Sequence, residues 1–232
     1  MAKRIGAPAA AWFACATSLV LLTLVAYGVD AAQRADARVL ARFSAHEDSL
    51  GGIAGGIAHL ADPLPLAALL IGACIIALLR GRPFDALAAL AVVAGANVTT
   101  QVLKVLLAHP RYQPVLGPEQ LGPIAFPSGH ATAAASIAIA YLFVVPRGAR
   151  PATALLGAGF AAAVGLSIVV LSWHYPSDVL GGYLVAAGWG FAMLALTRAW
   201  RRPSRRSSPT PPGWQASRGS RPSPPVSPSG SA

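Results

Sequence analysis

Long apolar stretches alternate with short charged segments along most of this chain. A helix needs about 20 apolar residues to cross the hydrocarbon core of a bilayer. The stretch that begins at residue 121 opens as a loop, so we expect its helix to start near Ser128. The pattern predicts an all-α integral membrane bundle of six transmembrane helices within residues 1–200. The stretches without Asp, Glu, Lys or Arg are 5–29, 63–79, 86–103, 121–146, 151–173 and 179–197.

Composition supports a membrane protein. Apolar residues make up 55% of the chain and charged residues 11%, against about 25% charged in soluble domains. This excludes a soluble enzyme and a fully disordered chain. The net charge of +10 would suggest a nucleic-acid partner in a soluble protein. Here the basic residues flank apolar stretches, which favours the anionic membrane surface and no nucleic acid.

The basic residues also predict an orientation. With a cytoplasmic N-terminus, thirteen Lys and Arg residues fall on the cytoplasmic side and five outside, as the positive-inside rule requires. We therefore expect a multi-pass cell-membrane protein with both termini in the cytoplasm. The first stretch follows Lys3 and Arg4 and could be a signal peptide, but it exceeds the roughly 7–15 residues of a signal peptide's apolar region, which favours a retained anchor.

Two segments outside the apolar stretches have their own patterns. Arg34, Arg38 and Arg42 recur every four residues, with Leu40 on another face, which predicts an amphipathic helix on the bilayer or a solvated surface helix. Small residues repeat at 51–58 and predict close helix packing. Residues 201–232 are rich in Ser, Pro and Arg, which predicts a disordered cytoplasmic tail.

Polar residues gather at the outer end of the third apolar stretch. Asn97, Gln101 and Lys104 share one helix face, and Arg111 follows soon after. Ionisable groups beside a membrane span are costly unless pairing or function explains them. For Lys104 alone, a side chain that snorkels to the interface is the alternative.

The fourth helix opens with Pro-Ser-Gly-His at residues 127–130. Ser128 is a natural N-cap, and Gly129 lets a ligand approach the backbone closely. The free N–H groups and the dipole of a helix start favour an anion. A cap and turn explain the first three residues equally well, and a lone His130 would be an interface residue more often than a catalyst.

A second histidine lies between the fifth and sixth helices, at the same predicted membrane face. Asp178 follows His174 by four residues across a tight turn. A carboxylate beside an imidazole can accept its N–H, which leaves the other ring nitrogen to act as nucleophile or base. A purely structural hydrogen bond between the two is the alternative.

Three turns thus bring two imidazoles, two cations and a helix N-terminus to one face. Phosphoryl transfer without a metal requires cations around the phosphate oxygens, a nucleophile and a proton donor. The sequence has no carboxylate cluster typical of Mg²⁺ sites and no Cys/His pattern typical of zinc. We therefore expect no metal and no cofactor.

These residues resemble the type 2 phosphatidic acid phosphatase (PAP2) family, which shares its core with vanadium haloperoxidases. Lys104 and Arg111 have the spacing of the first motif, with Tyr112 where the family has proline. Residues 127–130 match the second motif in full. The third motif matches at Ser167, His174 and Asp178, but Ile168 stands where the family has arginine.

The resemblance implies a role for each matching residue. His174 would be the nucleophile that forms a phosphohistidine, Asp178 would orient it, and His130 would be the general acid. The phosphoryl group would be bound by Lys104, Arg111, Ser128 and Gly129. The implied substrates are membrane lipid phosphates and diphosphates, such as phosphatidate, phosphatidylglycerol phosphate and polyprenyl diphosphates, cleaved without a metal at an extracytoplasmic site.

Two other interpretations stay open. Ile168 removes an expected cation, which fits a weak or inactive relative that binds or transfers a lipid-linked phosphate. A small transporter is the third hypothesis, although the polar residues gather at one face and do not form a path across the bilayer. The sequence pattern does not specify which lipid is used or the oligomeric state.

We predict the orientation to be measurable with single cysteines. In a background without Cys15 and Cys74, Gly117→Cys should react with an impermeant maleimide in intact cells, because residue 117 lies outside. Arg147→Cys should not react until the cells are opened. The reverse labelling pattern would overturn the topology.

Overall fold

The structure is a computed structural model that describes residues 3–111, 113–117 and 120–200. Within these ranges it consists of helices, short 3-10 turns and connecting loops, with no strand, so the predicted all-α class is confirmed. Tyr112 and the predicted tail at 201–232 lie outside the described residues. The helices are α1 (Lys3–Gly28), α2 (Asp30–Ser44), α3 (Glu47–His59), α4 (Pro63–Leu79), α5 (Pro83–Leu106), α6 (Gly129–Val144), α7 (Arg150–Val170) and α8 (Pro176–Trp200).

The membrane class is confirmed, but the number of six spans is not. Among the described residues, α1, α5, α7 and α8 contain stretches long and apolar enough to cross a membrane. α3 and α4 meet at an angle of 46° and would together make a fifth span. α6 has 16 residues. At 1.5 Å per residue it is about 24 Å long, which is less than the ~30 Å hydrocarbon core.

The position of α6 explains its length. It packs against α4, α5, α7 and α8 at the centre of the bundle. Its buried residues lie on every face, which is typical of a helix enclosed by protein. Protein thus covers more than half of α6, although residues 138, 139 and 141–143 are half-buried, so a helix of 16 residues can fit here without spanning the whole hydrocarbon core. The buried residues are Ala131, Thr132, Ala133, Ala134, Ala135, Ser136, Ile137, Ala140 and Val144.

The segment between the first two predicted spans forms α2 and α3. The predicted amphipathic helix is present as α2, with Leu40 buried in a cluster that includes Ile168 and Val179. In α3 the close packing comes from Ala54 and Ala58, which are buried. The glycines at 52, 55 and 56 face open space. α2 and α3 both pack on α7, so this segment covers the end of the bundle where the turns with His130 and His174 meet.

Glycine lets α8 approach the start of α6. A Cβ on Gly182 would lie 2.7 Å from the backbone oxygen of Ser128 and 3.0 Å from the Thr132 nitrogen. Both are backbone atoms of the α6 start, which cannot move aside without shifting the helix. The absence of a side chain at Gly182 therefore fixes how closely the two helices pack.

We predict that Gly182→Ala destabilises the protein by about 1–3 kcal/mol, the usual cost of overpacking. The matched control is Gly159→Ala in α7, where an added Cβ meets nothing within 4 Å. This control should be neutral or stabilising by up to about 1 kcal/mol. Thermal unfolding in one detergent measures both, and equal unfolding temperatures would contradict the packing argument.

Candidate active site

The starts of α6 and α8 are joined at the predicted site. The Ser128 N–H donates to the Asp178 carbonyl over 2.9 Å. The Ser128 hydroxyl accepts from the Ala131 N–H at 3.3 Å, so it caps α6 as predicted. Thr132 donates to the Ser128 carbonyl and contacts Thr100 of α5 at 2.9 Å. Three helices are therefore tied together at this corner.

Asp178 is fully buried in the first turn of α8. Its Oδ2 accepts the Tyr175 N–H at 2.9 Å and lies 3.5 Å from His174 Nδ1. The second distance is too long for a well-formed hydrogen bond and brings the carboxylate beside the imidazole. His174 Nδ1 is buried and makes no hydrogen bond among the described residues. The carboxylate thus faces Nδ1 of the predicted nucleophile.

The main partner of Asp178 is Arg111. The Arg111 Nη2 donates to Asp178 Oδ1, and Nη1 donates to Ser177 Oγ at 2.9 Å and to Asp36 Oδ2 at 3.2 Å. The guanidinium carbon lies 4.1 Å from the ring centroid of Tyr175. The Arg111 side chain is only 4% exposed. The predicted phosphate-binding arginine is therefore enclosed by two carboxylates and an aromatic ring.

Asp36 of α2 is a residue that the sequence analysis missed. Its Oδ1 accepts the Ser177 N–H at 3.0 Å, and its Oδ2 accepts from the Ser177 hydroxyl. Burial raises the pKa of Asp36, while the Ser177 hydrogen bonds and the Arg111 charge act in the opposite direction. The sequence pattern offers one indication that Asp36 faces the protein interior. Asp36 lies four residues before the buried Leu40 and so shares its helix face.

Lys104 approaches the start of α6 from the last turn of α5. A Cβ on Gly129 would lie 4.0 Å from Lys104 Cε and 3.8 Å from Gln101 Nε2. Lys104 interacts electrostatically with Asp178 and His130. Asn97, about two turns deeper than Lys104, instead donates to the Val93 carbonyl and to Ser136 and so joins α5 to α6.

His130 lies beside a second group that the sequence analysis missed. Its Nε2 is 3.0 Å from Asp62 Oδ1, and the Nδ1 of His59 is 2.9 Å from Asp62 Oδ2. The Trp173 ring packs against both imidazoles, with centroid distances of 5.4 Å to His130 and 5.9 Å to His59. Since 68 residues separate Asp62 from His130, no sequence spacing could reveal the pair.

Ile168 occupies an apolar environment. Its side chain is fully buried and clusters with Leu40 of α2, Tyr175 in the turn before α8 and Val179 of α8. Its carbonyl accepts the N–H groups of Trp173 at 2.9 Å and His174 at 3.3 Å. The backbone at this position therefore anchors the turn that carries His174, while the side chain supports the packing of α2.

The seven residues predicted for the site lie in one connected cluster, although their chemical roles stay predictions. Asp178 contacts His174, Arg111 and Ser128, and the remaining members gather at the start of α6. In the described part of the chain, no three His, Cys, Asp or Glu side chains are grouped so that they could hold a metal ion. The predicted independence of metals stays a prediction.

Comparisons with known proteins show the family and the fold of this chain. A family model described as the PAP2 superfamily matches residues 85–202, just over half of the chain. A solved structure is similar with a TM-score of 0.69 and 22% identity, covering 83% of this chain and 98% of the other. This is the crystal structure of a transmembrane PAP2-type phosphatidylglycerolphosphate phosphatase from Bacillus subtilis. At this identity the similarity concerns the fold. No curated protein sequence matches significantly.

We predict that Ile168→Arg destabilises the protein and does not increase its activity. The added guanidinium would lie among the apolar side chains that surround Ile168, and a buried charge without a partner costs about 3–5 kcal/mol. Ile168→Met, which adds no charge, is the control and should cost less than about 1.5 kcal/mol. Thermal unfolding and phosphate release, measured for both variants, test this prediction. A variant as stable as the wild type with several-fold higher turnover would prove this wrong.

Proposed function

Since this chain belongs to the PAP2 superfamily, we propose that it is a membrane phosphatase that hydrolyses a lipid phosphomonoester or diphosphate through a phosphohistidine. The resemblance found in the three motifs is thereby confirmed at the family level. One observation carries the proposal. Asp178 faces Nδ1 of His174 at 3.5 Å while its own backbone holds the N-terminus of α6.

In the first step, His174 attacks phosphorus through Nε2. Its Nδ1 faces the Asp178 carboxylate, which stabilises the positive charge that develops on the ring. The bond from phosphorus to the lipid oxygen breaks, and His130 transfers its proton to that oxygen. The products of this step are the free lipid alcohol, or the lipid monophosphate if a diphosphate is cleaved, and phosphohistidine at 174.

In the second step, water attacks the phosphohistidine. The phosphorus–nitrogen bond breaks, and a proton of the water passes to His130, which restores both imidazoles and releases inorganic phosphate. No other group is consumed, so the cycle needs water alone as co-substrate.

The phosphate would be held at the start of α6. Lys104 supplies a cation near Gly129, and the first N–H groups of α6 together with its dipole favour an anion. For Arg111 to bind phosphate as the resemblance implies, Nη1 has to exchange Asp36 for a phosphate oxygen while Nη2 keeps Asp178. Ser128 contributes mainly through its place at the helix cap.

A groove of the protein beside this site would hold the lipid chain. A groove of about 470 Å³ runs between α4, α5 and α6, from His130 and Gln101 to apolar residues such as Leu66 and Leu70. A chain lying there would place its phosphate near Gly129, which also lines the groove. This groove supports a membrane lipid as the substrate class, and the Bacillus subtilis protein is named for such a lipid, phosphatidylglycerolphosphate.

The proposed setting is the cell membrane, with the site on the extracytoplasmic face. The distribution of basic residues supports this orientation. The alternative function is a weak or inactive relative that binds or transfers a lipid-linked phosphate. Two observations favour this alternative: the apolar surroundings of Ile168 and the two carboxylates that already occupy Arg111.

The test is phosphate release by the purified protein from phosphatidate, phosphatidylglycerol phosphate and a polyprenyl diphosphate, in detergent with EDTA. We expect release from at least one lipid, and inhibition by vanadate, which adopts the trigonal-bipyramidal geometry of the transition state. Full loss of activity in EDTA with recovery on adding Mg²⁺ would reject the metal-free mechanism. Lipid binding without release would favour the alternative function.

We predict that His174→Ala lowers phosphate release to below a few per cent of wild type, because the variant lacks the attacking nitrogen. The wild type should yield an acid-labile phosphoenzyme that the variant lacks. His46→Ala, which removes an exposed imidazole in the link between α2 and α3, is the control and should keep full activity. Substantial turnover by His174→Ala would reject His174 as the nucleophile.

A further inference from the structure

The link between α3 and α4 carries a carboxylate held between two imidazoles. Asp62 Oδ1 lies 3.0 Å from His130 Nε2, and Asp62 Oδ2 lies 2.9 Å from His59 Nδ1. The three residues come from the end of α3, the link and the start of α6. Asp62 also lines the groove that contains Gly129 and His130, so the pair faces the proposed lipid-binding site.

The Asp62 side chain does not perform the usual task of an aspartate at this position. Asp62 is the N-cap residue of α4, where Asp normally accepts a backbone N–H of the first turn. Here the side chain makes no cap hydrogen bond and turns toward the imidazoles. Capping of α4 therefore does not account for the carboxylate, and its relation to His130 needs another explanation.

The contact determines which nitrogen of His130 carries the hydrogen. An ionised carboxylate only accepts hydrogen bonds, so Nε2 of His130 must donate its hydrogen to Asp62. This leaves Nδ1 as the nitrogen that can gain and lose a proton during the reaction. The Trp173 ring packs against the same imidazole and limits its rotation.

We propose that Asp62 is a positioning residue for His130, which fixes its Nε2–H tautomer and stabilises its protonated form before proton transfer. This inference rests on the proposed function. When the bond from phosphorus to the lipid oxygen breaks, the proton on Nδ1 of His130 moves to that oxygen. Asp62 keeps its hydrogen bond to Nε2–H throughout and takes up no proton itself. In the second step, Nδ1 receives a proton from the attacking water.

The charges around His130 make such a partner necessary. Burial disfavours the charged form of His130 most strongly, and His174 before α8 and Lys104 of α5 add to this effect. Asp62 is the carboxylate that offsets them, and His59 of α3 faces its other oxygen. Removal of the negative charge therefore makes protonation of His130 harder.

The decisive variant is Asp62→Asn, which keeps the shape and removes the charge. In this variant His130 should lose its proton at a lower pH than in the wild type. Because the activity requires protonated His130, the alkaline limb of the kcat/KM profile should move to lower pH. On a lipid phosphate, kcat should fall about 10- to 100-fold at neutral pH, a fraction of what general-acid catalysis contributes. Asp62→Ala, which also removes the acceptor, should lose at least as much.

A second substrate separates positioning from a structural role. With 4-nitrophenyl phosphate the leaving group needs no proton, so Asp62→Asn should retain most of the wild-type kcat. The matched control is His59→Ala, which removes the other partner of Asp62 and leaves the contact with His130 in place. This control should keep the wild-type pH profile. Equal losses of Asp62→Asn on both substrates with an unmoved alkaline limb would overturn the proposal, as would undiminished activity on the lipid.

Histidine ¹⁵N NMR of the full-length protein in detergent tests the contact independently of turnover. Wild-type His130, assigned with a His130→Gln variant, should show Nε2 protonated and Nδ1 unprotonated when neutral. Asp62→Ala should yield a mixture of tautomers. An unchanged spectrum would overturn the proposal even in an active enzyme. If the wild type releases no phosphate, the proposed hydrolysis fails by itself, and this spectrum still decides whether Asp62 orients His130.

Discussion

The carboxylate of Asp178 has no contact with water, and its negative charge has to be balanced within the protein. Arg111 balances it, but Arg111 is itself buried and needs further acceptors, which Asp36 and Ser177 supply. The loop after α5, the surface helix α2 and the start of α8 are held together by this requirement. Loss of one member leaves a buried charge behind, which is far costlier than loss of an exposed ion pair.

Features that depend on nearby residues could be predicted from the sequence. Apolar stretches located the helices, and prolines at the starts of α4, α5 and α7 agree with the predicted boundaries. The His174–Asp178 pair was visible because four residues and one turn separate its members. The contacts of Asp36 with Ser177 and of Asp62 with His130 could not be predicted. These partners lie 141 and 68 residues away, and only the assembled bundle brings them together.

Hydropathy alone could not establish the number of membrane spans. Residues 128–146 are as apolar as a membrane helix, yet α6 ends after 16 residues and is enclosed by four neighbours. Apolar composition does not distinguish burial in lipid from burial in protein. Ile168 illustrates the same limit on the scale of one residue. In the motif, isoleucine at this position means that an expected cation is missing. In the fold, its side chain packs in the contact between α7 and α2.

The hydrogen bond from the Ser128 N–H to the Asp178 carbonyl has a mechanical consequence. Together with the close approach at Gly182, it joins the starts of α6 and α8 in one corner that holds His174, Asp178 and the N-terminus of α6. These parts can be displaced only together. The bend between α3 and α4 is attached to the same corner through the contact of Asp62 with His130, so a movement of this bend would also change the surroundings of that imidazole.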